Sequence, residues 1–184
     1  MIDPFFEAFD NKLRVFQMLR HPATLLYSWF NRGWGGRMTE DPRSLSMTFE
    51  SENGDILPWY TVEKYNELSE VDRLVQMISN ISEKAYISYF SLTTSQKEQI
   101  CWIIFEDFAT YPEPDIIRIE KFLDTKRTRY TKRQLKKANC PRVFNEKDIS
   151  EKKEFLLKEM SEDSLKRYNQ LCEQYTLLKQ EFGH

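Results

Sequence analysis

An apolar run that ends in an arginine and then meets a proline constrains the fold of this chain more than any other feature. In Leu13–Leu19 apolar residues outnumber polar ones and include Val15 and Phe16, which is typical of a β-strand covered on both faces. Pro22 lacks a backbone N–H and has a fixed φ, so it suits the first turn of a helix. The stretch therefore predicts a strand, a turn at Arg20 and a helix that begins at the proline.

This junction is a candidate site for a phosphate group. Arg20 would lie beside the N–H groups and the positive end of a helix, and a guanidinium group forks onto phosphate oxygens. Ser28, eight positions later, falls in the second helical turn and would add a hydroxyl donor. From the residues alone, the alternative is an ordinary strand–helix junction whose arginine makes a salt bridge.

A second apolar run has the same character. Gln99–Phe108, QICWIIFEDF, predicts another strand that closes with Glu106 and Asp107. A loop with two prolines and a short amphipathic helix ending in Phe122 and Leu123 follow it. In open parallel sheets, ligands bind at the carboxyl ends of the strands. For the two acidic residues, a structural role at the strand end is favoured over that of a general base.

Together the two runs resemble the sulfotransferases that use 3′-phosphoadenosine 5′-phosphosulfate (PAPS). The first, FQMLRHPATLLYSWFNRG, has an arginine and a serine at the family's spacing, and the second has its aromatic-Glu-Asp-hydrophobic pattern, proline loop and Phe-Leu ending. The resemblance covers residues 13–123. It implies an α/β fold, a P-loop-like parallel sheet flanked by helices, with Arg20 and Ser28 on the 3′-phosphate of PAPS. It also implies sulfuryl transfer to a hydroxyl or amine of a carbohydrate or small-molecule acceptor, without a metal.

One element of the family pattern has no counterpart in the chain. Sulfotransferases hold the 5′-phosphosulfate in a P-loop-like strand-loop-helix ahead of the 3′-phosphate strand, and their general base lies between the two elements or just after the first. Neither is found before Leu13. The chain is therefore expected to be the C-terminal portion of a sulfotransferase, inactive by itself, with an incomplete sheet and an unassigned catalytic base.

Two other classes of protein stay open. A nucleotide-binding, kinase-like protein would share the P-loop type of fold, but the Gly-Lys-Ser/Thr sequence of a P-loop is absent. A noncatalytic interaction domain on the same scaffold would bind a partner through the basic run Lys126–Lys137 and the C-terminal helices. A solvated helix face is the commonest meaning of such a run. The resemblance instead suggests that Lys132 and Arg133 close over the nucleotide.

Composition limits the partners and the compartment. A formal net charge of −2 gives no general attraction to nucleic acid, so none is expected as a partner. No apolar run approaches the roughly 20 residues that cross a bilayer, so a cytoplasmic location is expected, with the Golgi lumen as the alternative if an anchor precedes the chain. Cys101, Cys140 and Cys172 include no CxxC pair, so neither a zinc site nor a disulfide framework is expected.

Helical periodicity accounts for most of the remaining chain. A single domain over 1–184 is expected, with an α/β part over 1–145 and C-terminal helices over 146–184 that pack on it. In the tail, Asp148 and Ser161 have the patterns of helix N-caps.

The middle of the chain also has helical spacing. Apolar residues three and four apart predict one helix over Thr61–Ile81 and a second over Ile81–Leu92. Asp72 and Arg73 fall on the other side of the first helix. Both side chains are therefore expected to be solvated.

Overall fold

A computed structural model of the chain describes residues 3–9, 12–35, 48–50, 56–58, 67–143 and 146–183. The described part is mostly helical and contains two short sheets. Its helices are α1 (Asp3–Phe9), α2 (Pro22–Phe30), α3 (Glu70–Ser91), α4 (Thr94–Lys97), α5 (Phe105–Thr110), α6 (Glu113–Phe122), α7 (Thr131–Lys137), α8 (Glu146–Glu159) and α9 (Glu162–Phe182). Its strands are β1 (Val15–Leu19), β2 (Thr48–Glu50), β3 (Ile56–Pro58) and β4 (Ile100–Ile104).

The chain divides into two compact units by its internal contacts. The first unit comprises Met1–His21, Ile87–Glu146 and Gln174–His184. The second unit comprises Pro22–Tyr86 and Lys147–Glu173. That residues 1–184 form a single domain stays a prediction.

The first unit contains a parallel sheet of β1 and β4. The register runs from Val15 opposite Ile100 to Leu19 opposite Ile104, so both strands end at the same edge. The two strands predicted from the apolar runs are thereby confirmed, and the chain combines helices with a parallel strand pair. The larger P-loop-like sheet that the resemblance implies stays a prediction.

The two strands of this sheet differ in burial. Residues 101–104 of β4 are all buried, and Cys101 is a core residue. In β1 burial alternates, and Phe16 and Met18 are 42% and 51% exposed. The expectation that this strand is covered on both faces is therefore wrong. Successive side chains of a strand point to opposite faces, and β1 has cover over only one of them.

An aromatic cluster joins the end of α9 to β4 in the first unit. The rings of Trp102 and Phe182 stack with their centroids 4.6 Å apart, and Tyr89 meets both rings edge-on. Arg118 donates to the carbonyl oxygen of Trp102 and to the carboxylate of Asp115. Stacked and edge-on ring pairs add specific attraction to the burial of apolar area. The last turn of α9 is thus fixed on the strand.

Four helices build the hydrophobic core of the second unit. Leu26, Leu74, Leu156 and Tyr168, one from each of α2, α3, α8 and α9, are fully buried. Apolar residues three and four apart place one side of each helix in this core. Burying one such side chain stabilises a fold by about 1.5–3 kcal/mol. The same unit contains the antiparallel pair β2–β3.

Helix boundaries depart from the sequence prediction in two places. Helix α3 continues through Ile81, so the prediction of two helices is wrong. No glycine or proline interrupts α3, and nothing local therefore stops the helix. Residues 61–66, predicted as the first turns of that helix, lie outside the described residues. Helix α8 begins at Glu146, so the predicted cap at Asp148 is also wrong, whereas α9 begins directly after Ser161 as predicted.

Asp72 is buried, which overturns its expected exposure. It is 6% exposed, and its Oδ1 accepts hydrogen bonds from the N–H and hydroxyl of Ser161 at 2.9 and 3.1 Å. The same Ser161 hydroxyl accepts the N–H of Ser164, as an N-cap does. Burial raises the pKa of Asp72, but its serine and backbone donors outweigh burial and leave the pKa below the ordinary 3.8. Arg73 is half-buried and donates to the carbonyl of Gly35.

The helices just given differ from membrane-spanning helices. Within the described ranges, none of them combines the length and the apolar character that crossing a bilayer requires.

Candidate functional site

The two sequence motifs meet at the carboxyl ends of the parallel strands. Arg20 directly follows β1 and Phe105 directly follows β4, whose last residues, Leu19 and Ile104, are paired. The guanidinium carbon of Arg20 lies 4.5 Å from the centroid of the Phe105 ring, within the range of a cation–π contact. Ligands of open parallel sheets bind at this edge. Arg20 therefore lies where a ligand of such a sheet is expected.

A second arginine reaches the same ring. The guanidinium carbon of Arg142 lies 5.5 Å from the centroid of Phe105, and its backbone N–H donates to the carbonyl of Ala109 at 2.7 Å. Ala109 is buried in α5, so this bond holds the segment after α7 beside the end of β4. Two guanidinium groups on one ring concentrate positive charge at this edge. The only local signal of Arg142 in the sequence is a Cys-Pro-Arg loop, which does not indicate a binding role.

Glu106 holds the turn that carries Arg20. Its carboxylate, 8% exposed, accepts the backbone N–H of His21 at 3.1 and 3.3 Å and the hydroxyl of Tyr175 at 3.3 Å. The Tyr175 ring also meets the His21 imidazole edge-on, with the centroids 5.0 Å apart. Burial, followed by the negative charge of Glu106, raises the pKa of Tyr175 well above its ordinary value. Glu106 therefore acts as a structural acceptor at the strand end.

The sulfotransferase resemblance is supported by two stretches of this sequence and by no related protein. Comparison with family models, curated proteins and solved structures finds no match. The strand pairing brings together the two stretches that carry the resemblance, around Arg20 and over residues 105–108. Assignment to that family is therefore a proposal.

Ser28 is the other predicted phosphate ligand. It lies in α2, which begins at Pro22 as the proline predicted, and its side chain is half-buried. Ser28 belongs to the second unit and Arg20 to the first. Their shared contact with one phosphate stays a prediction.

The predicted basic element is exposed. Lys132 and Arg133 lie on the surface of α7. The cation from this part of the chain that approaches Phe105 is instead Arg142. A role for the first two residues over the nucleotide stays a prediction.

The remaining chemical groups near the strand end are engaged in structural contacts. Asp107 pairs with Lys179, with Oδ1 2.8 Å from Nζ. Burial raises the pKa of the Cys140 thiol, which agrees with a loop residue rather than a reactive nucleophile. In the part of the chain that the structure describes, no three His, Cys, Asp or Glu side chains converge as metal ligands would. What this edge offers chemically is the guanidinium group of Arg20 on a braced turn and that of Arg142 on the segment after α7, which also donates to the carbonyl of Ala138 at 3.2 Å.

Proposed function

We propose that the chain binds PAPS at the carboxyl ends of β1 and β4 and serves the transfer of its sulfuryl group to a hydroxyl or amine acceptor. The observation that carries the proposal is the contact between the two motifs. The N–H of His21 and the carboxylate of Glu106 are bonded although the residues are 85 positions apart in the chain. If the two stretches resembled sulfotransferase motifs only by chance, there would be no reason for them to lie in contact.

Two arginines supply the chemistry of a phosphate site at this edge. A guanidinium group presents five N–H donors in a planar fork that matches phosphate oxygens. The Phe105 ring lies against both Arg20 and Arg142 and restricts their orientation. A hydrogen bond to a charged group contributes about 1.5–3 kcal/mol. In the proposal Arg20 binds the 3′-phosphate, which the resemblance also assigns to Ser28, and Arg142 offsets charge on the nucleotide.

The proposed reaction is an in-line displacement at sulfur. The acceptor oxygen or nitrogen forms a bond to the sulfur, the bond from sulfur to the bridging oxygen of the 5′-phosphate breaks, and the acceptor proton passes to a base. The product 3′-phosphoadenosine 5′-phosphate (PAP) leaves with added negative charge. Positioning and charge compensation supply much of the acceleration in comparable phosphoryl transfers. In the proposal, Arg20 contributes to positioning and Arg142 to charge compensation.

Calorimetric titration of the whole chain with PAP tests the proposal. Arg20→Ala should weaken PAP binding by about tenfold or more, because it removes charge-assisted hydrogen bonds to phosphate. Arg32→Ala is the matched control, since Arg32 also lies over a ring, that of Trp34, at 5.6 Å. The control should bind PAP within about twofold of the natural chain.

A ligand without the 3′-phosphate completes the test. Adenosine 5′-phosphate should bind more weakly than PAP and should respond little to Arg20→Ala. A well-folded chain that does not bind PAP would overturn the proposal. So would an Arg20→Ala variant with unchanged PAP affinity.

A further inference from the structure

A short stretch of the chain concentrates positive charge. Residues 126–137, KRTRYTKRQLKK, include seven of the 27 basic residues and none of the 29 acidic ones, in a chain whose formal net charge is −2. All seven cations are exposed. The six other than Arg127 form what is called here the basic surface: Lys126, Arg129, Lys132, Arg133, Lys136 and Lys137. This local excess of charge is not a consequence of overall composition.

Salt bridges within the described ranges do not balance the charges of the basic surface, although the charge of Lys126 helps to lower the pKa of the nearby Glu120. None of its six members forms an ion pair with a residue in the described ranges. Along α7, Lys132 and Lys136 are four residues apart, and so are Arg133 and Lys137. Like charges at this spacing repel each other across a helix face. An anionic partner would relieve that repulsion.

The segment is nevertheless held at both ends. At its start, Arg127 is bound by the carboxylates of Glu113 and Glu120 on α6, at 2.7 and 3.1 Å. Beyond its end, the Arg142 N–H donates to the carbonyl of Ala109 in α5 at 2.7 Å. The basic surface is therefore held in a fixed place rather than on a flexible tail. It should lose less conformational entropy when a ligand binds.

The end of the segment also leads to the candidate site. Arg142 follows α7 by five residues, is bonded through its N–H to Ala109, and lies against Phe105. The basic surface and the Phe105 edge belong to the same unit. A long anionic chain lying on α7 would thus extend towards the edge at which PAPS is proposed to bind.

We propose that the basic surface binds an acidic polysaccharide, a linear chain of sulfate and carboxylate groups, and that this chain is the sulfuryl acceptor. The acceptor role rests on the proposed function, whereas the binding of the polysaccharide does not. Polysaccharides supply both the hydroxyl groups that sulfuryl transfer needs and the negative charge that the surface lacks.

Nucleic acid fits this surface less well. Single-stranded nucleic acids need aromatic faces on which bases stack. The one aromatic residue of the segment, Tyr130, has the guanidinium carbon of Arg129 4.9 Å from its ring centroid, and its hydroxyl accepts from the same side chain at 2.8 Å. This ring is 50% exposed but already contacts the Arg129 side chain. The segment thus offers much charge and a single, partly occupied ring for stacking.

Calorimetric titration with a heparin oligosaccharide of defined length tests the proposal. Lys136→Glu combined with Lys137→Glu should weaken binding by about tenfold or more, and affinity should fall steeply with added salt because polyanion binding releases counterions. Lys153→Glu combined with Lys158→Glu is the control. This variant makes the same change in net charge at exposed positions of α8, and Lys158, like Lys136 and Lys137, lies in the last turn of its helix. Its heparin affinity should stay within about twofold of that of the natural chain.

Three results would overturn the proposal. The first is equal heparin affinity of the basic-surface variant and the natural chain. The second is an equal loss in the control variant, and the third is tighter binding of duplex DNA than of the oligosaccharide. If the glutamate variant melts early, Lys136→Gln combined with Lys137→Gln repeats the test without reversing charge.

PAP titration separates this proposal from the proposed function. Arg20→Ala should weaken PAP binding and leave heparin binding unchanged, whereas the Lys136/Lys137 variant should weaken heparin binding and leave PAP binding unchanged. A natural chain that binds heparin through the basic surface but does not bind PAP would refute the sulfotransferase proposal and the acceptor role, and leave polysaccharide binding in place.

Discussion

The backbone N–H of His21 donates hydrogen bonds to both carboxylate oxygens of Glu106, at 3.1 and 3.3 Å. This bond lies between Arg20, which ends the first strand motif, and Pro22, which begins α2. A buried carboxylate is stable only with such donors, and the N–H loses an acceptor if the carboxylate is removed. Glu106 is therefore a positioning residue for the turn that presents Arg20.

Replacement of Glu106 should destabilise the first unit. Glu106→Ala removes the acceptor for His21 and Tyr175 and should lower the free energy of unfolding by about 2–3 kcal/mol; Glu106→Gln, which keeps one acceptor oxygen, should lower it by about 1 kcal/mol. Urea unfolding followed by circular dichroism measures both. Glu159→Gln, at an exposed carboxylate that ends α8, is the control and should be neutral. Equal stability of all the variants would contradict a bracing role.

Tyr175 should make stability fall at alkaline pH. Burial and the Glu106 charge raise its pKa above the unfolded value of 10.0. A group whose pKa is raised by folding contributes its full stability below the unfolded pKa and loses it as pH rises towards the folded pKa. The unfolding free energy of the natural chain should thus decline above pH of about 10 more than that of Tyr175→Phe.

Spectroscopic titration of the phenol checks the cause of that shift. Glu106→Gln removes the neighbouring negative charge and should move the pKa of Tyr175 down towards its ordinary value. An unchanged tyrosine titration in this variant would show that the carboxylate is not a cause.

Asp72 should contribute stability that disappears in acid. Its pKa is lowered on folding, because donors that include Ser161 favour the charged form more than burial disfavours it. A group with a lowered pKa contributes stability above its unfolded pKa and loses it as pH falls through the folded pKa. Asp72→Asn should therefore cost about 1–2 kcal/mol at neutral pH, and the difference from the natural chain should shrink below pH of about 4.

An exposed aspartate provides the control for Asp72. Asp163→Asn changes a carboxylate in the first turn of α9, the helix that follows Ser161, and this carboxylate pairs with Arg167 at 2.9 Å on the surface. Surface pairs contribute little, about 0–1 kcal/mol. A pH dependence as large for Asp163→Asn as for Asp72→Asn would contradict the assignment to the buried cap.

Arg142→Lys should separate charge from shape at the Phe105 edge. Lysine keeps the positive charge but lacks the planar fork that lies against the ring. We expect PAP affinity to fall by about fivefold to tenfold in Arg142→Lys and further in Arg142→Ala. Calorimetry measures both variants beside Arg32→Lys. PAP binding that is indifferent to Arg142 would remove this residue from the proposed site.

Much of the local structure could be predicted from the sequence because its causes are local. The apolar runs around Val15 and Ile103 predicted strands, Pro22 predicted the start of α2, and Ser161 predicted the start of α9. Each of these signals depends on a few neighbouring side chains and on backbone geometry. Where a local signal was absent, as at Ile81 within α3, the boundary prediction failed.

Contacts between distant parts of the chain required the tertiary structure. The helical pattern around Asp72 shows which face is apolar, but not that the first turn of α9 provides donors for a buried carboxylate. For β1, the composition predicts a strand, whereas the neighbours that leave Phe16 exposed are set by packing. Burial depends on residues that are far away in sequence, which periodicity does not identify.

The sequence by itself determined the two strands, the arginine at the end of the first and the acidic residues at the end of the second. Each of these features depends only on residues that are adjacent in the sequence. Only the tertiary structure decided that β1 and β4 are direct neighbours with Leu19 opposite Ile104, that Glu106 holds the His21 turn, and that Arg142 joins Arg20 on one ring. The physical reason is that strand register and side-chain contacts result from the packing of the whole unit. A sequence pattern does not give the spatial distance between residues that are far apart in the chain.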